Sequence, residues 1–107
     1  MLLGSEVGDL QLVRDRFQAL ADPIRLAVVE LLRGEEMCVC DLCDRLHLHQ
    51  SKLSFHLKIL KQAGLIHPRQ AGRWIYYRLD QEAIAHLSAY LAQFQTQPYQ
   101  PARPCPD

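Results

Sequence analysis

Residues 39–64 read VCDLCDRLHLHQSKLSFHLKILKQAG, and the hydrophobic rhythm of this stretch decides the fold. Val39, Leu42 and Leu46 are spaced i, i+3, i+7, which predicts a short helix over 39–46 with one buried stripe. A turn follows at residues 47–50. Leu53, Leu57 and Leu60 then form the inner face of a second helix, from Ser51 to Ala63, which Gly64 closes. At about 100° per residue, Ser51, Ser54, Phe55, Lys58 and Gln62 point broadly away from that face. Two amphipathic helices joined by a tight turn, the second polar and basic outside, make a helix-turn-helix. Its second helix is the one that enters the major groove of DNA.

Working outward, residues 9–21 place Leu10, Val13, Phe17, Leu20 and Ala21 on one helical face. Asp22-Pro23 reads as an N-cap with proline at the first helical position. The helix it opens carries Ile24, Ala27, Val28, Leu31 and Leu32 and stops at Gly34, and Glu35-Glu36 is a turn. Downstream, two β-rich runs, 65–69 and 73–79, flank Gln70-Ala71-Gly72 and predict a hairpin with Arg69 and Arg73 at its tip and Pro68 at a strand edge or end. A hairpin that follows a recognition helix is a wing. A last helix over about 81–94 aligns Ile84, Leu87, Leu91 and Phe94. The expected fold is mainly α with a small β-hairpin, a winged helix-turn-helix in the order α-α-α-α-β-β-α. Residues 1–94 form the DNA-binding and dimerisation domain. Residues 95–107, with four prolines in thirteen positions, form a disordered tail. The first and last helices carry more apolar surface than so thin a body covers, so a homodimer through them is expected.

Charge separates along the chain. Net charge is zero, yet residues 45–79 hold Arg45, Lys52, Lys58, Lys61, Arg69, Arg73 and Arg78 with no Asp or Glu, a block of +7 against −7 elsewhere. Such segregation marks a phosphate-binding face on an acidic body. With 49% hydrophobic and 22% charged residues the composition is that of a globular domain. No apolar run is long enough for a membrane span, and the first ten residues lack the pattern of a signal peptide. A cytoplasmic location with reduced thiols is therefore expected. Nothing resembles an enzyme site: there is no nucleophile with a base, no phosphate loop and no catalytic metal signature.

Three of the four cysteines, Cys38, Cys40 and Cys43, fall within six residues. A thiolate is the form that ligates metals, and a helix N-terminus lowers a thiol's pKa. Cys40 and Cys43 are about 60° apart around a regular helix and both point toward solvent, so their sulfurs can converge. Cys38 would lie about 160° from Cys40, and joins the pair only if the first turn is unwound. Three soft thiolates suit As(III) or Sb(III), whereas Zn(II) or Cd(II) would call for a fourth ligand, for which His47 and Cys105 are candidates. Oxidation of the three thiols is the other reading. A zinc site on the last helix is not expected, because only Asp80, Glu82 and His86 are available there.

Four segments, ALADPIRLAVVELLRG, CVCDLC, SKLSFHLKILKQAGLI and GRWIYYRLD, together resemble the ArsR/SmtB family of bacterial metal-responsive repressors over residues 12–94. The CVCDLC segment resembles the arsenic-responsive branch. The resemblance implies a winged-helix homodimer that binds inverted-repeat operator DNA and releases it when a thiophilic ion binds. By position it assigns Gln50, Ser51, Lys52 and Ser54 to the DNA-reading start of the recognition helix. Phe55 departs from relatives, which often carry a polar or basic residue there. On chemistry alone, Gln50 can pair bidentately with adenine, Phe55 can pack on a thymine methyl or on a neighbouring element, and Lys58, Arg69 and Arg73 meet the backbone or minor groove. His56, Trp74, Tyr76 and Tyr77 read as packing residues.

Overall fold

The computed structural model describes residues 4–106, with side chains from Leu10 onward. Residues 1–3 and Asp107, included in the two segments expected above, lie outside the described residues. The elements are α1 (Gly4–Leu20), α2 (Pro23–Leu31), β1 (Met37–Cys38), α3 (Val39–Leu46), α4 (Gln50–Gln62), β2 (Ile66–Ala71), β3 (Trp74–Leu79) and α5 (Gln81–Thr96). All five helices stand where hydrophobic spacing put them, with α1 beginning five residues earlier than expected.

Local chemistry sets the boundaries. The Asp22 carboxylate accepts hydrogen bonds from the Ile24 and Arg25 amides, at 2.9 and 3.0 Å, and Pro23 opens α2. Those contacts, the Arg25 amide foremost, hold the carboxyl below its ordinary value. The hairpin closes at Ala71 and Trp74 around Gly72-Arg73, and Gly72 takes the positive φ of 61° that a two-residue turn needs at this position.

One element escaped the sequence reading. Met37–Cys38, just ahead of the helix at 39–46, forms a two-residue strand, and it pairs with β3 in a sheet of order β1-β3-β2. Its register sets Met37 opposite Tyr77 and Cys38 opposite Tyr76. Two residues are too few to show alternation, so the pairing is dictated by β3 rather than by local sequence. Pro68 sits inside β2, not at its end, but β2 is an edge strand, where a missing N–H is tolerated.

The core joins Val28 and Leu32 of α2, Leu42 of α3, Leu53, Leu57 and Leu60 of α4, and Leu65 and Ile66 entering the hairpin, all no more than 2% exposed. Polar bolts fix the helices around it. Arg25 donates to the Ala19 carbonyl at 2.6 Å and to His56 Nδ1 at 3.0 Å, tying α2 to α4. Arg16 of α1 donates to the Ala63 carbonyl at 3.0 Å and to His86 Nδ1 at 2.9 Å, joining the end of α4 to α5. Arginine can only donate, so both imidazoles accept at Nδ1. The apolar stripe of α5 leaves the core part-way along: Leu87 is buried, while Leu91 and Phe94 are 51% and 67% exposed. Among the described residues no helix is long and apolar enough to cross a membrane.

Candidate nucleic-acid interface and thiol cluster

The outer face of α4 carries Gln50, Ser51, Lys52, Ser54, Phe55 and Lys58, all exposed, and its inner face buries Leu53, His56, Leu57 and Leu60. His56 is thus a hydrogen-bonded packing residue that sets the roll of α4. Phe55 is 60% exposed, its ring edge-on to His56 at 5.2 Å. His49 stands at the N-cap without a side-chain cap bond, which leaves first-turn amides of α4 free to meet a phosphate.

The wing corrects the expectation for Arg69. It lies in the middle of β2, opposite Tyr76, and not at the tip. Its guanidinium grips Glu36 through two bonds, Nε to Oε2 at 3.0 Å and Nη2 to Oε1 at 2.7 Å, and lies over the Tyr76 ring at 4.8 Å. Each partner stabilises the other's charge: Arg69 holds the Glu36 carboxyl low, and Glu36 pushes the guanidinium pKa up. Glu36 was read only as a turn residue; the signal for its role was an acidic pair beside a basic block. Arg73 is at the tip, exposed, with its guanidinium 5.2 Å from the Trp74 ring centre. Tyr76 and Tyr77 are half-buried as hairpin packing, but Trp74 is 44% exposed.

The three cysteines belong to two elements. Cys38 ends β1 and is the N-cap of α3, with extended backbone (φ −79°, ψ 158°) and Sγ accepting from the Asp41 amide at 3.5 Å. Cys40 is exposed on α3. Cys43 is only half-buried and packs against the core, which corrects the view that both helical thiols face solvent. Burial pushes the Cys43 thiol up, with further contributions from Cys40, Asp44 and Cys38, opposite to the lowering expected of a helix N-terminus. Cys40 and Cys43 line one cleft of about 510 Å³ with Asp44, His49 and Gln50 on one side and Arg73, Trp74 and Ile75 on the other. Cys38 does not line it, and among the described residues no three His, Cys, Asp or Glu side chains form a ready ligand set. Cys40 and Cys43 offer two soft sulfur donors to this cleft, the donor type a thiophilic ion takes.

The other candidate ligands stand apart. His47 is the C-cap of α3, exposed and left-handed at φ 55°, the geometry of a turn residue. Cys105 is exposed in the segment after α5. On α5, His86 is engaged by Arg16, and Asp80 both caps the helix through the Ala83 amide at 2.9 Å and meets His67 Nε2 at 2.6 Å.

A helix-turn-helix with a paired wing and a basic outer helix defines a winged helix-turn-helix DNA-binding protein. Residues 22–67 match the family model for bacterial regulatory proteins of the arsR family. The chain is 44% identical over 78 residues to an arsenical resistance operon repressor of Escherichia coli, covering 72% of this chain and 63% of that one. It is 45% identical over 79 residues to the arsenical resistance operon repressor of Bacillus subtilis, covering 73% and 75%. With the repressor SmtB of Mycobacterium tuberculosis it shares 46% over 70 residues, 65% of this chain and 52% of that one. The chain therefore belongs to the ArsR family, and it spans between half and two thirds of the length of the first and third of these relatives. Among solved structures, a "Possible transcriptional regulator for arsenical resistance" superposes with a TM-score of 0.69 at 37% identity, covering 78% of this chain and 86% of that one. The homodimeric winged helix-turn-helix domain of a Mycobacterium bovis protein superposes with a TM-score of 0.73 at 24% identity, covering 88% and 89%.

Proposed function

We propose that the chain is a homodimeric transcriptional repressor. It binds an inverted-repeat operator through α4 and the wing, and lets go when As(III) or Sb(III) is held by Cys38, Cys40 and Cys43. The observation that carries the reading is the cleft lined by Cys40 and Cys43 together with Gln50 and Arg73, so two of the thiols and two of the DNA-reading residues border one space. The names of the relatives support repression and an arsenical or metal signal. The homodimeric state of the M. bovis domain supports self-association, and the exposed Leu91 and Phe94 offer an apolar surface for it on α5. In the operator complex Gln50, Ser51, Lys52, Ser54 and Phe55 meet bases and nearby phosphates, and Lys58 and Arg73 meet the backbone. Arg69 holds the wing and does not bind phosphate. A cytoplasmic site of action follows from this role; α5 runs to Thr96, two residues into the segment 95–107 expected to be disordered, and residues 97–106 after it act as a mobile tail.

When bound, the ion supplies a point that three thiolates converge on. Cys40 and Cys43 are the converging pair, and Cys38 must be drawn in from β1. A second reading has support of its own, since His49 and Asp44 border the same cleft and offer the nitrogen and oxygen donors that Cd(II) or Zn(II) takes beside sulfur. A thiol-redox switch, the remaining reading of the cluster, would release the operator with peroxide in the absence of metal. The test is operator binding by fluorescence anisotropy with arsenite, antimonite, cadmium, zinc and peroxide in parallel. Release by arsenite and antimonite at the lowest concentrations is expected. Release by cadmium or zinc alone would favour the second reading, and release by none would sink the sensor.

A further inference from the structure

The Cys-x-Cys-x-x-Cys motif straddles a boundary that its compact sequence conceals. Cys40 and Cys43 belong to α3, whereas Cys38 belongs to β1, and β1 is a strand of the wing sheet. Cys38 is paired with Tyr76 and Met37 with Tyr77. One residue earlier, Glu36 grips Arg69 of β2 at 3.0 and 2.7 Å, and Arg69 lies over Tyr76. Across the cleft from Cys40 and Cys43 stand Arg73, Trp74 and Ile75 at the wing tip. Every cysteine of the motif therefore meets the wing, one through backbone pairing and two across the cleft.

We propose that the wing is the output element of the thiol sensor: drawing Cys38 toward Cys40 and Cys43 strips β1 from β3 and displaces the hairpin that carries Arg73. The inference rests on the three-thiolate reading above and adds how that site is read out. Cys38 is set apart from the pair: its backbone is extended in the ladder, its Sγ caps α3 by accepting from the Asp41 amide, and it does not line the cleft that Cys40 and Cys43 share. Relative anchoring decides what moves. The β1–β3 ladder has two residue pairs, and the β2–β3 ladder has six. The weak ladder opens first, and the hairpin then shifts as one body. The recognition helix is held far more firmly. Leu53, Leu57 and Leu60 are at most 2% exposed, and His56 is bolted to α2 by Arg25. Two arrangements of one sheet edge, biased by the ion at one end and by DNA at the other, are the bistable element that coupling requires.

Hydrogen–deuterium exchange on the full chain, with and without arsenite and with operator release followed in the same samples, tests this. Arsenite is expected to speed exchange of the β3 amides that face β1 by about tenfold, the loss of a short local pairing, and to leave the α4 amides from Leu53 to Leu60 unchanged. Cys38→Ser keeps an oxygen to cap α3, so the fold persists; it should still take up arsenite at Cys40 and Cys43, without the exchange change and without full release. Glu36→Gln, which touches no sulfur, should raise wing exchange before any arsenite is added. Operator release with unchanged wing exchange, or with faster exchange in α4 instead, overturns the wing as output. Arsenite that never releases the operator overturns the sensor reading itself, and the wing readout with it.

Discussion

Lys52→Ala should flatten the salt dependence of operator binding, and Arg69→Ala should not. Lys52, Lys58 and Arg73 are exposed, and among the described residues none of them is paired with a carboxylate. Arg69 is already neutralised by Glu36 at 2.7 Å. Two protomers then present six cations to phosphates, which gives a slope of log K against log salt of about −5.4 and a loss of roughly a thousandfold between 50 and 200 mM salt. Lys52→Ala removes two of the six and should bring the slope to about −3.6. Arg73→Ala should do the same. For Arg69→Ala the slope should stay near the wild-type value, with any loss of affinity uniform across salt concentrations because it reflects a looser wing. The assay is anisotropy of a labelled operator at four or five salt concentrations. A slope for Arg69→Ala as shallow as that for Lys52→Ala would refute the assignment, since the clamp would then have to open onto DNA. A flat wild-type dependence would refute the phosphate-binding face altogether.

Three further outcomes follow from the packing. Phe94→Glu with Leu91→Glu should shift sedimentation from dimer toward monomer and weaken operator binding, because these side chains are exposed on α5 and available to a second copy; an unchanged dimer would move the interface elsewhere. Leu42→Ala, at a fully buried position, should cost about 2–5 kcal/mol in chemical denaturation. The His67 contact, with the Ala83 amide second, holds the Asp80 carboxyl below its ordinary value. A depressed carboxyl stabilises the fold above its unfolded pKa and loses that contribution as pH falls through the folded one. His67→Ala should therefore raise the Asp80 titration and start acid loosening of α5 at a higher pH, which a carboxyl carbon-13 NMR titration reads directly.

Helices were legible because each buries a stripe with a 3.6-residue period, as in Leu53, Leu57 and Leu60. The outer face of α4 was legible for the same reason, and so was His56 as a packing residue. What stayed hidden depends on partners distant in sequence. Strand β1 exists because β3 offers an edge some forty residues later, and two residues carry no rhythm of their own. That strand takes Cys38 off the helix altogether, so its place relative to Cys40 is set by sheet pairing and not by rotation around α3. Arg69 counts as a phosphate contact by composition, and only the fold brings Glu36, 33 residues away, onto its guanidinium. Trp74 was taken for hairpin packing because the cleft it shares with Cys40 and Cys43 lies between elements.

Arsenite titration of single serine variants, followed by release of a fluorescent operator, tests the role of the sulfurs most directly. Cys40→Ser and Cys43→Ser should bind operator normally and fail to release it, because each removes one of the two thiols already facing the cleft. Cys38→Ser should bind arsenite more weakly and release incompletely, and Cys105→Ser should behave as wild type. If Cys40→Ser or Cys43→Ser lets go of DNA at the wild-type arsenite concentration, the cluster at the start of α3 is not the sensor.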